Sequence, residues 1–185
     1  MRPRVAFVLA AFVTAACGGR SAPSLPSPRL SDGEYLRALR LMVPVAGTHP
    51  SRIENTFDKG RGGGARTHQA IDILAPRGTP VLAAVDGEIL RVTTNELGGK
   101  TIYATDRARR FVYYYAHLDR YADRARVGER VTQGTVIGYV GTSGNAPENT
   151  PHLHFQVMRM LQTRQWWEGP PLNPFGYFAR AGASQ

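Results

Sequence analysis

The chain has 185 residues, 42% of them hydrophobic, and a formal net charge of +9. That length supports one domain with a real core plus an appendage. The positive charge is dispersed and accompanies no basic helix, zinc finger or RNP-type motif, which excludes a nucleic-acid reader; it suits attraction to an anionic polymer or membrane surface, or simple solubility.

The single cysteine, Cys17, excludes an intramolecular disulfide and thiolate zinc fingers. Arg2 and Arg4 precede an apolar run, Val5 to Val13, that ends in Thr14-Ala15-Ala16 just before Cys17. This order predicts an export signal over residues 1–16, because a membrane-spanning helix needs about 20 apolar residues. The stretch resembles a lipobox, which implies lipidation of Cys17 and an envelope protein anchored to a membrane. Thr14 stands where that motif usually has Leu, so ordinary cleavage near Ala15 or Ala16 is the alternative.

Residues 17–30 are mostly Gly, Ser, Pro and Ala and predict a flexible tether. Ser31-Asp32-Gly33-Glu34 then has the capping-box pattern. It opens a short amphipathic helix over residues 31–42, through Tyr35, Leu36, Leu39, Leu41 and Met42, stopped by Pro44. The main domain is expected over residues 43–180. His49, alone before a proline, reads as a surface-loop residue, and Ser51 to Arg66, with Gly62-Gly63-Gly64, reads as a loop.

Ile71 to Leu74, followed by proline and glycine punctuation, suits a strand. His68 and Asp72 are an even number of residues apart, so on an extended strand they face one side. Val81 to Val85 and Glu88 to Val92 read as strands joined by Asp86-Gly87, a hairpin signal. Gly98 to Asp106 and Arg110 to Leu118 form a second expected pair, and period two puts Phe111, Tyr113, Tyr115 and His117 on one face of the latter. Glycines 128, 134, 138 and 141 separate short Val/Ile strands. The expected fold is mainly β, an antiparallel sheet with few helices, and neither βαβ alternation nor an HExxH helix is present in the sequence.

Pro151-His152-Leu153-His154-Phe155-Gln156-Val157 alternates strictly, which puts His152 and His154 on one strand face and Leu153 and Phe155 on the other. With His68 and Asp72, His154 completes two imidazoles and a carboxylate, a set zinc accepts while keeping a fourth position open.

The succession HxxxD, Tyr115-Ala116-His117-Leu118, the glycines from 128 to 144, and His152-Leu153-His154-Phe155 resembles the lysostaphin-type (LytM-like) zinc metallopeptidases of bacterial peptidoglycan, over roughly residues 43 to 178. The resemblance implies a sheet groove floored by one zinc held by His68, Asp72 and His154, with His117 and His152 as catalytic histidines. Either histidine is open to the role of base. Tyr113 and Tyr115, sharing the His117 face, are candidates for the groove wall or for the core, and Trp166-Trp167 for a channel wall or an edge seal. The chain departs from the family at Ala70, usually glycine, and at Asp58, where a Phe-Gly pair is usual. The implied partner is peptidoglycan, with a regulatory protein partner also compatible. The alternative is a non-catalytic LytM-type envelope lipoprotein that regulates a separate amidase. Asn55, in the upstream loop, is a candidate to approach the metal in a latent form.

Overall fold

A computed structural model describes residues 30–61 and 66–178. The export signal, Cys17, almost all of the tether, the glycine run and residues 179–180 of the expected domain therefore lie outside the described residues.

The capping box forms as its sequence predicts. The Glu34 backbone N–H donates to the Ser31 hydroxyl while the Glu34 carboxylate accepts from the Ser31 N–H, opening α1 (Asp32–Leu39). The helix ends sooner than expected, because Arg40 turns left-handed at φ 50° and its N–H returns to the Arg37 carbonyl. Leu36 and Leu41 are buried, so the helix docks on the domain.

The strands follow in order: β1 (Gly60–Arg61), β2 (Arg66–Thr67), β3 (Ile71–Leu74), β4 (Pro80–Leu82), β5 (Gly87–Asn95), β6 (Gly99–Asp106), β7 (Phe111–Tyr121), β8 (Arg130–Val131), β9 (Val136–Val140), β10 (His152–Arg159) and β11 (Pro171–Leu172). Among the described residues, β1 and β2 form a small ribbon and the other nine strands one antiparallel sheet, with the path β11-β10-β7-β6-β5-β8. β3 also pairs with β10, and β9 joins β4 to β7.

The β6–β7 hairpin matches the sequence reading. Its turn is closed by the buried Asp106 carboxylate, which accepts from the backbone N–H groups of Ala108 and Phe111 and from the Tyr35 hydroxyl of α1. The hairpin expected at Asp86-Gly87 does not form. β4 pairs with β9 instead, and β5 with β6 and β8. Gly87 is needed for another reason: a Cβ there would lie 1.7 Å from the Thr105 carbonyl oxygen, so the glycine lets β5 press against β6.

One sheet face carries the core, including Ile102, Tyr113, Tyr115, Phe155 and Val157. Alternation along β10 and β7 leaves His152, His154, Gln156 and Tyr114 for the other face, where they line an open cleft of about 590 Å³.

Candidate metal centre

His154 and Asp72 are direct partners across the β3–β10 ladder, since β10 runs antiparallel to β3 with His154 opposite Asp72 and Leu153 opposite Ile73. Burial of Leu153, Phe155, Ile71 and Ile73 fixes this register, because a one-residue slip would turn every apolar side chain into the cleft.

His68 arrives differently from its sequence expectation. It precedes β3, outside regular strand, so the even spacing to Asp72 is not what brings the two together. The segment before it does so instead. The Asp58 N–H donates to the His68 carbonyl at 2.7 Å, and the His68 N–H donates to the Lys59 carbonyl at 2.8 Å. Asp58 sits at φ 65°, the left-handed conformation that glycine favours and that aspartate tolerates better than most residues, so the upstream loop keeps a glycine-like turn.

Three donor atoms converge. His68 Nε2 is 3.0 Å from Asp72 Oδ1 and 3.1 Å from His154 Nδ1, which is 3.2 Å from the same carboxylate oxygen. Donors bound tetrahedrally at about 2.0–2.1 Å stand roughly 3.3 Å apart, so the triangle fits a zinc-sized ion. The tautomers fit as well. His68 Nδ1 lies 2.9 Å from the Thr56 carbonyl, which can only accept, so Nδ1 carries the proton and Nε2 presents its lone pair.

Thr56 is the anchor of this centre, and nothing in the sequence of its loop marks it. Its buried hydroxyl accepts from the Asp72 N–H at 2.9 Å and donates to the Ala70 carbonyl at 3.3 Å. It therefore fixes both ligands of the HxxxD stretch through their backbone and ring.

Electrostatics agree with this arrangement. Burial opposes ionisation of Asp72, but hydrogen bonds and charge from His154 and His68 outweigh it and hold the carboxyl well below the usual range. Burial lowers the His154 pKa against the pull of Asp72, which favours the neutral, ligating ring.

His117 and His152 stand beside the triangle, with ring centroids 4.9 Å apart, and His117 is 5.6 Å from the His154 ring. His152 Nδ1 donates to the Thr150 carbonyl and His117 Nδ1 to the Ser143 carbonyl, each at 2.8 Å. Both rings thus turn an Nε2 acceptor away from those anchors, that of His152 lying 3.9 Å from Asp72 Oδ1. Burial pushes the His117 pKa down to about 4, against the bond to Ser143, which raises it.

His117 does not share a face with Tyr113 and Tyr115. The pairing puts Leu118 opposite Lys100 but Tyr115 opposite Ile102, so the extra residue of a bulge lies in β7 at Ala116-His117; His117 takes φ 61°, the alternation breaks and its ring turns into the cleft. Tyr113 and Tyr115 are core residues with no part in the groove wall; the Tyr115 hydroxyl accepts from the Ala84 N–H. Tyr114 lines the cleft in their place, together with Gln156 and the exposed Leu74 and Leu97. Asn55 is engaged elsewhere, accepting from the Phe57 N–H and the Asn173 amide, and His49 caps a short 3-10 turn at the surface.

The sequence profile of Peptidase family M23 matches residues 66–174. An L-Ala–D-Glu endopeptidase of Bacillus subtilis (strain 168) is 35% identical over 118 residues, covering 60% of this chain and 36% of its own length. The glycyl-glycine endopeptidase ALE-1 of Staphylococcus capitis is 31% identical over 142 residues, covering 72% of this chain and 37% of its own length. Among solved structures, the catalytic domain of the antimicrobial peptidase lysostaphin from Staphylococcus simulans matches with a TM-score of 0.54 and 25% identity, over 78% of this chain and 95% of that one. The chain spans about a third of the length of these two curated relatives.

Proposed function

The chain belongs to peptidase family M23, and from that premise we propose that it is a zinc-dependent endopeptidase hydrolysing peptide stems or cross-links of bacterial peptidoglycan. The observation that carries this reading is the triangle of His68 Nε2, Asp72 Oδ1 and His154 Nδ1 beside two further imidazoles. The names of the relatives, endopeptidases for an L-Ala–D-Glu bond and for glycyl-glycine, support the substrate class.

His68, Asp72 and His154 would hold the zinc, which when bound supplies Lewis acidity and makes hydroxide available near neutral pH. His152 and His117 present Nε2 lone pairs, so each accepts a proton at that atom before it can donate one. Having gained the proton from the attacking water, one of them returns it to the leaving amine. The Thr150 and Ser143 carbonyls keep both rings aimed through this cycle and stabilise the protonated form. Leu74 and Leu97 give the cleft apolar walls suited to small side chains such as the alanine methyl.

Export and a lipid anchor at Cys17 are part of this reading on sequence grounds, and a Cys17→Ser variant that stays membrane-bound and matures normally would overturn the anchor. For the activity, zinc-loaded protein is incubated with purified peptidoglycan and released fragments are identified by mass spectrometry beside a His154→Ala control. New peptide cleavage absent from the control is expected. An intact wall despite one bound zinc would overturn the reading in favour of a non-catalytic regulator.

A further inference from the structure

The cleft face of the sheet continues beyond the metal ligands as a row of aromatic side chains. Gln156 of β10 is opposite Tyr114 of β7, Tyr114 is opposite Tyr103 of β6, and Tyr103 is opposite Arg91 of β5. The row starts at the metal centre, where the Tyr114 ring meets the His154 imidazole edge-on with centroids 6.1 Å apart. Tyr103 follows at 4.6 Å from Tyr114, then Trp166 at 5.8 Å from Tyr103, then Trp167 at 5.1 Å from Trp166. The Arg91 guanidinium closes the row, 4.9 Å from the Trp167 ring and 5.9 Å from that of Tyr103.

All four rings are only half-buried, and Arg91 is exposed. The core does not require them on this face, because Ile102, Ala104, Tyr113 and Tyr115 fill the opposite one. The loop bearing the tryptophans is fastened by backbone bonds from Arg159 to Pro170, from Met160 to Arg110 and from Leu161 to Trp166. Rings on a fixed backbone lose little entropy when a ligand covers them.

We propose that this aromatic strip is a carbohydrate subsite that holds the glycan strand carrying the cleaved peptide, an inference that rests on the peptidoglycan reading above. A pyranose ring has an apolar C–H face that packs on flat aromatic surface and a polar rim that the Gln156 amide and the Arg91 guanidinium can hydrogen-bond. The row crosses the middle of the sheet, where the backbone groups of β6 and β7 are committed to pairing. An extended peptide recognised by strand addition needs an open edge, whereas a sugar needs only the side chains presented here. The strip also begins where the peptide would leave the metal, so one substrate can occupy both.

The chain contains two tryptophans, both in the strip, so intrinsic tryptophan fluorescence reports on it directly. Zinc-loaded full-length protein is titrated with peptide-free glycan strands and, separately, with sugar-free cross-linked stem peptides. A saturable spectral change with the strands is expected. Arg91→Ala, which removes an exposed side chain, and Tyr103→Ala should each weaken it by about 10-fold, the scale of one lost charge-assisted hydrogen bond or one lost ring contact. Cleavage of intact peptidoglycan should fall further in these variants than cleavage of the free peptides. No response to glycan strands in a protein that cleaves peptidoglycan, or an equal response to free peptides, would overturn the subsite. Strand binding needs no hydrolysis, so absence of cleavage in the same preparations would count against the peptidase reading alone.

Discussion

Asp72 and His154, which are 82 residues apart in sequence, face each other across one antiparallel pair with donor atoms 3.2 Å apart. The metal site and the pairing of β3 with β10 are therefore one structure, and an ion bound there clamps two strands that unfolding must separate. Saturating zinc should raise the melting temperature and chelation should lower it, with stabilisation of about 4 kcal/mol at a thousandfold excess over Kd. Asp72→Asn should abolish the zinc-dependent shift while leaving the metal-free circular dichroism spectrum intact; a full shift in that variant would remove Asp72 from the ligand set.

His152 and His154 share a strand face but differ in expected role. His154→Ala should bind no zinc and cut nothing. His152→Ala should keep one zinc by elemental analysis and lose about 10²- to 10⁴-fold in turnover, the range for a positioned acid–base group. Full activity in His152→Ala would remove it from the mechanism.

Thr56 orients two ligands without touching the metal position. Thr56→Val keeps the carbonyl that receives His68 but deletes the hydroxyl that accepts from the Asp72 N–H. Zinc affinity should fall by about 10-fold or more, as for other partners of metal ligands, and competition with a chromophoric chelator would measure it. An unchanged affinity would mean that the β3–β10 pairing alone suffices to place Asp72.

His117 holds a left-handed backbone at φ 61°, a conformation that costs a residue with a Cβ of the order of 1 kcal/mol. His117→Gly should therefore unfold no more readily than the parent in urea, or slightly less so, while turnover on peptidoglycan falls about 10²-fold or more. A variant that is both active and unstabilised would mean that the strain serves packing and not chemistry.

Asp32 ties α1 to the sheet by accepting from the Arg110 and Arg159 guanidiniums. Partial burial raises its pKa, but the two guanidiniums outweigh that and the net shift is downward. A carboxyl depressed in the folded state stabilises above its unfolded pKa, and the contribution fades as pH falls through the folded value. Asp32→Asn should cost about 1 kcal/mol at neutral pH, limited by the solvent that reaches Arg159, and the difference should shrink below about pH 4. Urea titrations at both pH values measure it, and a difference independent of pH would assign the clasp to geometry and not to charge.

Where local pattern and final environment coincide, the sequence was readable. Strict alternation placed His152 and His154 in the cleft and Leu153 and Phe155 in the core, the capping box opened α1, and the two runs around Asp106 formed a hairpin. Asp86-Gly87 misled because the turn signal is local, while β4 gains more by pairing with β9, some 55 residues on, and Gly87 is required by the Thr105 carbonyl. Of the two roles open to Tyr113 and Tyr115 the core holds, and Tyr114 lines the cleft, because a single bulge near His117 breaks the two-residue period that would put Tyr113, Tyr115 and His117 on one face.

The sequence by itself determined which groups are available for chemistry, four cleft histidines and one aspartate, and the alternation that sets two of them on one strand. Tertiary structure alone decided how they meet. It chose Nε2 of His68 and Nδ1 of His154, brought in Thr56 and the Ser143 carbonyl, and turned His117 toward them. The His68 and His117 rings are oriented by the loop carbonyls of Thr56 and Ser143, which only the fold brings to them, and by one strained residue; the Thr150 anchor of His152 is local, but no two-residue period encodes the others.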